Sequence, residues 1–299
     1  MVIDMDELHF GPLTFVPGEN SGRYPFCHSL YINGDKKIII DPASKRERLL
    51  ELKEGPGVDV AWLSHYHEDH FIYLELFSDK ELWMSGPDAP ALENIDNILD
   101  LYGIEDKKER ELWGKFMLES FNYRPRKVDR IFEENEVIDL GSVNVEVISA
   151  PGHTAGNLAF YFREIEVLFI GDYDLLKFGP WYGDRDSDID QTIDSAKKLR
   201  KIPAKVWITS HDKGVYLEDP GHLWDEFLGV IFEREAKLLE LLSKPKTIEE
   251  IVEARIVYKK PREPKLFYEF GERALMKKHL ERLMSNGEVK KEGGRYFQT

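Results

Sequence analysis

The 299-residue sequence contains a single cysteine, Cys27. One thiol cannot form an internal disulfide, so a disulfide framework is excluded and a reducing compartment is expected. No apolar run approaches the roughly 18 residues that a membrane-spanning helix requires, so no membrane partner is expected. Met1–Phe10 is acidic and lacks both the basic and the apolar region of a secretory signal. These absences together predict a cytoplasmic protein.

Positive charge is also scarce, with 41 Lys and Arg against 56 Asp and Glu. Residues 231–299 carry 16 positive and 12 negative side chains, so the preceding 230 residues carry 25 and 44. An acidic body repels polyanions at long range, which argues against a large nucleic-acid substrate there. Nucleic acid is therefore left open as a partner but is not favoured. The hydrophobic content of 42% is enough for a sizeable core, so disorder is not expected.

The segment His65-Tyr66-His67-Glu68-Asp69-His70 concentrates residue types that bind metal ions. Imidazole offers a neutral nitrogen donor and carboxylate a charged oxygen donor, which suits zinc or another first-row ion. The segment directly follows the apolar run Val58–Leu63, which predicts a short buried strand. The sequence therefore predicts a metal site at the end of that strand.

Three further apolar runs are each followed by a His or an Asp. They are Val143–Ile148 before His153, Glu166–Ile170 before Asp172, and Val206–Thr209 before His211. Ligands gather at the carboxyl ends of strands in layered α/β folds, because the loops there share one edge of a rigid sheet. We therefore expect these side chains to meet the cluster at 65–70.

Helical patterns separate and follow the predicted strands. A short helix is expected at Phe71–Phe77, directly after the first motif. Two amphipathic segments, Pro87–Tyr102 and Asp106–Phe121, predict a helical insertion at about 87–122. Beyond residue 228 the pattern predicts three helices, the last at Gly271–Ser285, and a hairpin around Gly293-Gly294, which is the order of a winged-helix unit. The second of these helices begins with a capping-box sequence at Thr247. We predict a catalytic domain at 1–228 and a winged-helix-like domain at 229–299.

Four motifs, HYHEDH, PGHTAGN, GDYD and TSHDKG, occur in the order that resembles the metallo-β-lactamase superfamily, a group of αββα-sandwich hydrolases. The resemblance spans about Leu8 to Leu228 and is nearest to the glyoxalase II-related branch that carries a winged-helix tail. It implies two divalent metal ions. The implied ligands are His65, His67 and His153 for one ion, Asp69, His70 and His211 for the other, and Asp172 bridging both. Asp41 would orient a ligand histidine through a hydrogen bond.

The resemblance implies a binuclear metal-dependent hydrolase. Two metal ions can lower the pKa of a shared water and polarise a carbonyl oxygen. A metal-bound hydroxide is then expected to attack the ester or thioester carbonyl of a small, anionic metabolite. Asp69 and Asp172 are the expected catalytic residues, with Asp69 orienting the hydroxide. Zinc is favoured, with iron or manganese as alternatives, because five His and two Asp suit all three.

Other functions remain open. One is a phosphodiesterase or endoribonuclease whose tail holds nucleic acid. Another is a single-iron persulfide dioxygenase that uses the ligands of the first site, His65, His67 and His153. A DNA-binding regulator whose metal domain only senses ligand is least favoured, since all seven ligand positions are intact. A homodimer is also left open.

Three features have an uncertain role. His28 could line the substrate pocket, and the segment KFGPWYGDRDSD (177–188) has no assigned role. The third feature is a basic run, which is either a solvated helix end or an anion clamp and consists of Arg124, Arg126, Lys127 and Arg130.

Departures from the family pattern narrow the expected substrates. No Cys is available for the second metal site, unlike in zinc β-lactamases of the superfamily. Leu175 stands where lactonase-like members have a catalytic Tyr. Phe71-Ile72-Tyr73 follows the first motif where glyoxalase II-like members usually have Gly, which argues against a glutathione thioester.

Overall fold

Two β-sheets and the helices around them form the body of the protein. The computed structural model describes residues 5–299, so the first four residues of the acidic N-terminal segment lie outside it. The strands are β1 (Leu8–Phe10), β2 (Leu13–Val16), β3 (Ser29–Asn33), β4 (Lys37–Ile40), β5 (Val60–Trp62), β6 (Glu81–Met84), β7 (Arg130–Ile131), β8 (Val137–Asp139), β9 (Asn144–Ser149), β10 (Leu158–Phe162), β11 (Val167–Phe169), β12 (Val206–Ile208), β13 (Val215–Tyr216), β14 (Val289–Glu292) and β15 (Arg295–Gln298). The helices are α1 (Arg46–Glu54), α2 (Glu68–Phe71), α3 (Ala89–Glu93), α4 (Ile95–Leu101), α5 (Lys107–Ser120), α6 (Ile189–Leu199), α7 (Leu223–Leu241), α8 (Ile248–Ala254) and α9 (Lys265–Ser285).

The first sheet has seven strands in the order β1-β2-β3-β4-β5-β6-β7, and the second has six in the order β13-β12-β11-β10-β9-β8. Their facing sides share one apolar core, in which Ile38 and Ile40 of β4 take part. The intervening Ile39 points to the opposite side, where it joins a second core with α1 and the helical insertion. Successive residues of a strand face opposite sides of the sheet. A strand whose residues are all apolar is therefore buried on both sides. The outer side of the second sheet packs against α6 and α7. The predicted α/β sandwich is confirmed.

Trp62 lies at the centre of the core between the sheets. Its side chain is 0% exposed, and its ring centroid lies 5.2 Å from that of Phe132 and 5.4 Å from that of Phe160. We expect Trp62→Ala to lower the free energy of unfolding by about 3–5 kcal/mol, because a large buried side chain would leave a cavity. Urea unfolding measures the change. Leu217→Ala is the control, since Leu217 is 66% exposed; equal effects of the two substitutions would contradict this view of the core.

The structure corrects the prediction that all metal-binding loops share the edge of one sheet. β5, which precedes His65, belongs to the first sheet, whereas β9, β11 and β12 belong to the second. Within the second sheet β11 runs parallel to β12, and both β9 and β11 are antiparallel to the intervening β10. The three carboxyl ends therefore lie at one end of the second sheet. Packing of the two sheets, not a single edge, brings the first motif to the others.

Two helix predictions also need correction. The helix expected at Phe71–Phe77 is instead the short α2 followed by a separate 3-10 turn at Leu74–Phe77. The last tail helix was expected to begin at Gly271 and begins at Lys265, about one and two-thirds turns earlier. This additional N-terminal part of α9 carries aromatic residues that bear on the functional site.

The tail contains α8, α9 and the antiparallel pair β14–β15. Thr247 and Glu250 form the predicted capping box at the start of α8. α7 continues from residue 223 to 241 across the predicted boundary at 228/229, so that boundary and the winged-helix assignment stay predictions. Tail residues such as Leu275 and Leu280 share one apolar cluster with Tyr182 and Ile189 of the body. Among residues 5–299, no helix has both the length and the apolarity needed to cross a membrane.

Candidate metal centre

Asp41 anchors the loop that carries the first motif. This fully buried residue directly follows β4 and has a positive φ of 50°. Its Oδ1 accepts a hydrogen bond from the Ser64 backbone nitrogen at 2.8 Å, and its Oδ2 accepts one from Ser64 Oγ at 2.7 Å. The same Oδ2 lies 3.0 Å from His70 Nδ1. Asp41 therefore makes the hydrogen bond to a cluster histidine that the family resemblance implies.

Three predicted ligands, His65, His67 and His153, point ring nitrogens at one another. His65 Nε2 lies 3.0 Å from His67 Nδ1, and His153 Nε2 lies 3.2 Å from the former and 2.9 Å from the latter. Asp172 Oδ2 lies 3.4 Å from His153 Nε2. One ligand atom from each of the four residues lies within 4.8 Å of the others, so together they could hold a metal ion.

A second group, Asp69, His70 and His211, lies on the other side of Asp172. His70 Nε2 is 3.0 Å from Asp172 Oδ1, and His211 Nε2 is 3.4 Å from Asp172 Oδ2. Asp69 Oδ2 lies 3.6 Å from His211 Nε2. The structure thus brings all seven predicted site residues together, with Asp172 between the two groups.

Hydrogen bonds at the outward-facing ring nitrogens decide which nitrogen of each histidine is free. His67 Nε2 donates to Asp184 Oδ2 at 2.7 Å, and His70 Nδ1 donates to Asp41. His153 Nδ1 donates to the carbonyl of Trp181 and His211 Nδ1 to that of Gly22. These oxygens can only accept, so each outward nitrogen carries a proton, and in the neutral imidazole the inward nitrogen keeps the lone pair that a metal ion needs.

His65 follows the same rule. Ser64 Oγ lies 3.0 Å from His65 Nδ1 and already donates to Asp41, so it accepts from His65. When the five imidazoles are neutral, their inward nitrogens are acceptors and cannot hydrogen-bond one another or the carboxylates. Accordingly His70 Nε2 and Asp172 Oδ1 are buried without a hydrogen-bond partner, although they are close together. Such groups are rare unless an ion or water satisfies them, so the donor set fits bound metal.

The electrostatics of the first group favour neutral imidazoles at two of its three histidines. Burial opposes charge on the third, His67, but the neighbouring Asp184 carboxylate raises the pKa of His67 to about 9. Burial and the neighbouring imidazole of His67 lower the pKa of His153 to about 4. Burial, followed by the charge of His70, lowers the pKa of His65 well below its usual value. Metal ligands must be deprotonated to bind, so these two residues are in the binding form at neutral pH without further change.

Comparison with known proteins decides the family. A sequence model of the Metallo-beta-lactamase superfamily matches residues 23–211, which include all seven residues of the cluster. The chain belongs to the metallo-beta-lactamase superfamily. Relatives within it include the acyl-coenzyme A thioesterase MBLAC2 of Gallus gallus, 30% identical over 40% of this chain and 42% of that protein. The hydroxyacylglutathione hydrolase GloC of Haemophilus influenzae is 28% identical over 49% of this chain and 65% of that protein.

The chain spans about half the length of the curated superfamily relatives it matches. Similarity of fold extends further. A metallo-beta-lactamase family protein from Thermus thermophilus is similar over 96% of this chain and 99% of its own, with a TM-score of 0.69 and 22% identity. A beta-lactamase domain protein from Burkholderia ambifaria has a TM-score of 0.72 at 16% identity, over 98% and 94% of the two chains. The shared fold therefore includes the tail.

A cavity of about 380 Å³ opens above the metal-binding cluster and is lined by His67, Asp69, His153, Asp172 and His211. Its walls are mainly aromatic and come from the N-terminal loop, the helical insertion, the segment after Asp172, and the tail. The aromatic lining residues are Tyr24, Tyr102, Trp113, Phe178, Trp181, Tyr258, Phe267, Tyr268 and Phe270. Glu68 joins two walls, since it accepts hydrogen bonds from the hydroxyls of Tyr24 and Tyr102.

Two features of uncertain role lie away from this cavity. His28 does not line it. Its Nδ1 accepts from the Gly18 backbone nitrogen at 2.9 Å, and its ring packs on Phe15. Burial, with the nearby His211, lowers the pKa of His28 to about 4. In the basic run, Arg126 donates to the carbonyls of Phe77 and Lys80. These contacts support structural roles for His28 and Arg126.

Asp184 and Asp174 are site residues that sequence reasoning did not single out as partners of the histidines. Asp184 is 1% exposed, and it also accepts from Trp181 Nε1 at 3.2 Å. Asp174 Oδ1 accepts from the His211 backbone nitrogen, and burial raises the pKa of Asp174 to about 7. The available signal for Asp184 was the acidic stretch GDRDSD after Asp172.

We expect Asp184→Asn to weaken metal binding or turnover by about 10- to 100-fold, because the carboxylate fixes the His67 tautomer and ring orientation. Titration with a metal-competing chelator measures the affinity. Asp194→Asn is the control, since the Asp194 side chain is 80% exposed. An affinity unchanged from wild type in Asp184→Asn would show that His67 does not depend on this partner.

Proposed function

We propose that this protein hydrolyses an ester or thioester of a small molecule at a pair of divalent metal ions, with zinc favoured. The carrying observation is the convergence of five imidazoles and two carboxylates beneath a cavity, which five of these seven side chains line. Bound divalent ions supply Lewis acidity and lower the pKa of water towards neutrality. His65, His67 and His153 would hold one ion, and Asp69, His70 and His211 the other, with Asp172 between them.

The chain's own residues have separable roles in this proposal. Asp41 and Asp184 hold the rings of His70 and His67 in position through the hydrogen bonds described above. Asp69 lines the cavity, so its carboxylate can orient a water molecule and accept its proton. Glu68 fixes the hydroxyls of Tyr24 and Tyr102, and the aromatic walls exclude bulk water from the carbonyl.

Two observations support an ester or thioester as substrate. The cavity walls are aromatic, which suits the apolar part of an acyl compound. The superfamily relatives include proteins named as a thioesterase and as a hydroxyacylglutathione hydrolase. The expectation of an anionic metabolite needs a cationic contact, and within residues 5–299 no Lys or Arg lines the cavity. An anionic group would therefore have to bind outside it.

We further propose that residues 1–228 form the catalytic domain and residues 229–299 a winged-helix-like domain that packs over the active site. Tyr258, Phe267 and Phe270 of the tail line the same cavity as the metal-binding residues, which supports this arrangement. The tail would thus serve substrate binding.

The test is metal quantitation of the purified protein, followed by assays on thioesters, lactones, phosphodiesters and β-lactams. We expect two zinc ions per chain and turnover of small neutral esters or thioesters that does not depend on salt. One iron per chain together with oxygen uptake on a persulfide would support the dioxygenase instead. Full metal loading without turnover of any ester or thioester would refute the proposed hydrolase.

A ribonuclease is the second candidate, favoured by a basic segment at 255–265 beside the cavity. It predicts RNA cleavage that falls steeply with salt, because each phosphate contact releases counterions. RNA cleavage that is abolished in His65→Ala, in the absence of ester turnover, would favour this candidate.

A further inference from the structure

The positive excess of the tail is confined to one short segment, here called the basic rim (residues 255–265). It contains Arg255, Lys259, Lys260, Arg262 and Lys265 with a single acid, Glu263. Residues 231–299 as a whole have 16 basic and 12 acidic side chains. The remainder of the tail is therefore electrically balanced, and the rim stands out from a strongly acidic body.

The basic rim lies beside the cavity. Tyr258 and Tyr268 line the cavity wall, and the Arg262 guanidinium lies 5.5 Å from the centroid of the Tyr268 ring and 6.0 Å from that of Tyr258. Lys259 and Lys260 directly follow Tyr258 and are exposed. The cations therefore sit outside the cavity, here called the chamber, and lie next to two of its wall residues.

Two features of α9 hold the rim in this place. The buried Glu272 carboxylate accepts hydrogen bonds from the backbone nitrogens of Val257 and Tyr258, at 2.9 and 3.1 Å. Gly271 allows close approach, since a Cβ there would lie 2.4 Å from the Tyr258 hydroxyl. The rim is thus fixed to the helix that also supplies Phe267 and Phe270 to the chamber.

The chamber itself is suited to an apolar group. The Phe270 ring lies 5.1 Å from that of Trp113 in the helical insertion, and the Phe267 ring lies 5.3 Å from that of Tyr24 in the N-terminal loop. Aromatic walls from three parts of the chain therefore meet above the metal-binding cluster. A ligand that fills both regions would have an apolar part inside and an anionic part at the rim.

We propose that the substrate is an acyl thioester whose acyl group is apolar and whose thiol carrier bears phosphate. This inference rests on the proposed hydrolase function. The acyl chain would occupy the chamber, the thioester carbonyl would lie at the metal-binding cluster, and the phosphates would face the basic rim. In the reaction a C–O bond forms from water to the acyl carbon, the C–S bond breaks, and the products are a carboxylic acid and a free thiol. The acidic body disfavours a long polyanion such as RNA at the same rim.

Binding of thioethers, which cannot be hydrolysed, tests the carrier without requiring turnover. We expect the zinc-loaded protein to bind S-dodecyl-coenzyme A about tenfold or more tightly than S-dodecyl-N-acetylcysteamine, whose carrier is neutral, with a smaller difference at high salt. S-dodecyl-phosphopantetheine, with a single phosphate, distinguishes a phosphopantetheine carrier from a nucleotide carrier. Equal binding of charged and neutral carriers would overturn the proposal.

Matched charge variants locate the carrier contact. K259Q/K260Q/R262Q is expected to remove most of the preference for coenzyme A while leaving hydrolysis of a small neutral thioester unchanged. K237Q/K244Q/K290Q removes the same charge from exposed positions of the tail and is expected to retain the preference. Equal losses in the two variants would show that only overall charge matters, against a specific rim.

The chamber is tested by chain length. Phe267→Ala is expected to reduce the preference for dodecyl over ethyl thioethers about tenfold, whereas Phe232→Ala, at a side chain 49% exposed, is expected to preserve it. No preference for the longer chain in the wild type would overturn the apolar chamber.

Tight binding of S-dodecyl-coenzyme A without hydrolysis of dodecanoyl-coenzyme A would support the ligand class and refute the hydrolase. RNA that displaces the neutral thioether would overturn the thioester and favour the nuclease.

Discussion

Replacing Asp172 with alanine is expected to remove at least one bound metal ion and to lower ester or thioester turnover by about 10³-fold or more. Asp172 lies between the two ligand groups, 3.0 Å from His70 Nε2 through one oxygen and 3.4 Å from His153 Nε2 and His211 Nε2 through the other. Without it the two groups lose their shared carboxylate, and positive charge on the ions is left less compensated. Metal content and kcat/KM measured on the same preparation test this expectation.

Asp194→Ala is the matched control, because it removes an exposed carboxylate from α6. Thermal melting of both variants separates loss of the site from loss of the fold. Retention of two ions and wild-type turnover in Asp172→Ala would contradict the assignment of Asp172 as the residue that joins the groups. His65→Ala is expected to lose activity as well, since it removes one of the three imidazoles of the first group.

Removing the metal ions is expected to destabilise the folded protein. The ligand residues extend from His65 to His211, and only the native fold brings them together, so metal binds the folded state preferentially. Each ion then stabilises the fold by about 4 kcal/mol when free metal is about 1,000-fold above its dissociation constant. Chemical unfolding with and without a chelator, at constant ionic strength, measures the difference.

Added zinc is expected to restore the stability of the chelated protein, and the stability is expected to rise with free zinc concentration. Asp172→Ala provides the control, because its unfolding should respond much less to the chelator. Identical unfolding of the wild-type protein in the two conditions would mean that the cluster holds no ion under those conditions, which would contradict the metal site.

The metal-binding residues could be predicted from short stretches of the sequence, because metal binding requires particular residue types and these directly follow apolar strand patterns. The strands before His65, His153, Asp172 and His211 are short apolar runs, whose pattern is set by burial on both faces of a sheet. The membership of each strand in one of two sheets was not predictable in this way. It depends on pairing between distant segments, and a buried strand has the same pattern in either sheet.

The partner of His67 illustrates the same limit. Asp184 is 117 residues away in the chain, and nothing in an acidic surface-like stretch shows that one of its carboxylates is buried against an imidazole. Phe267 and Phe270 are a second case, because aromatic residues in a tail helix are equally typical of an ordinary core. Their position above the metal-binding cluster depends on how the tail packs against Trp113 and Tyr24.

The sequence by itself determined the residue types that can bind metal, the strands that deliver them and the acidic character of the body, since these depend on short-range patterns and composition. Only the tertiary structure decided that seven side chains converge between two sheets, that Asp184 and Asp41 hold the imidazoles, and that the tail completes the cavity. Those features arise from contacts between segments far apart in the chain, which form only when the sheets and the tail pack together.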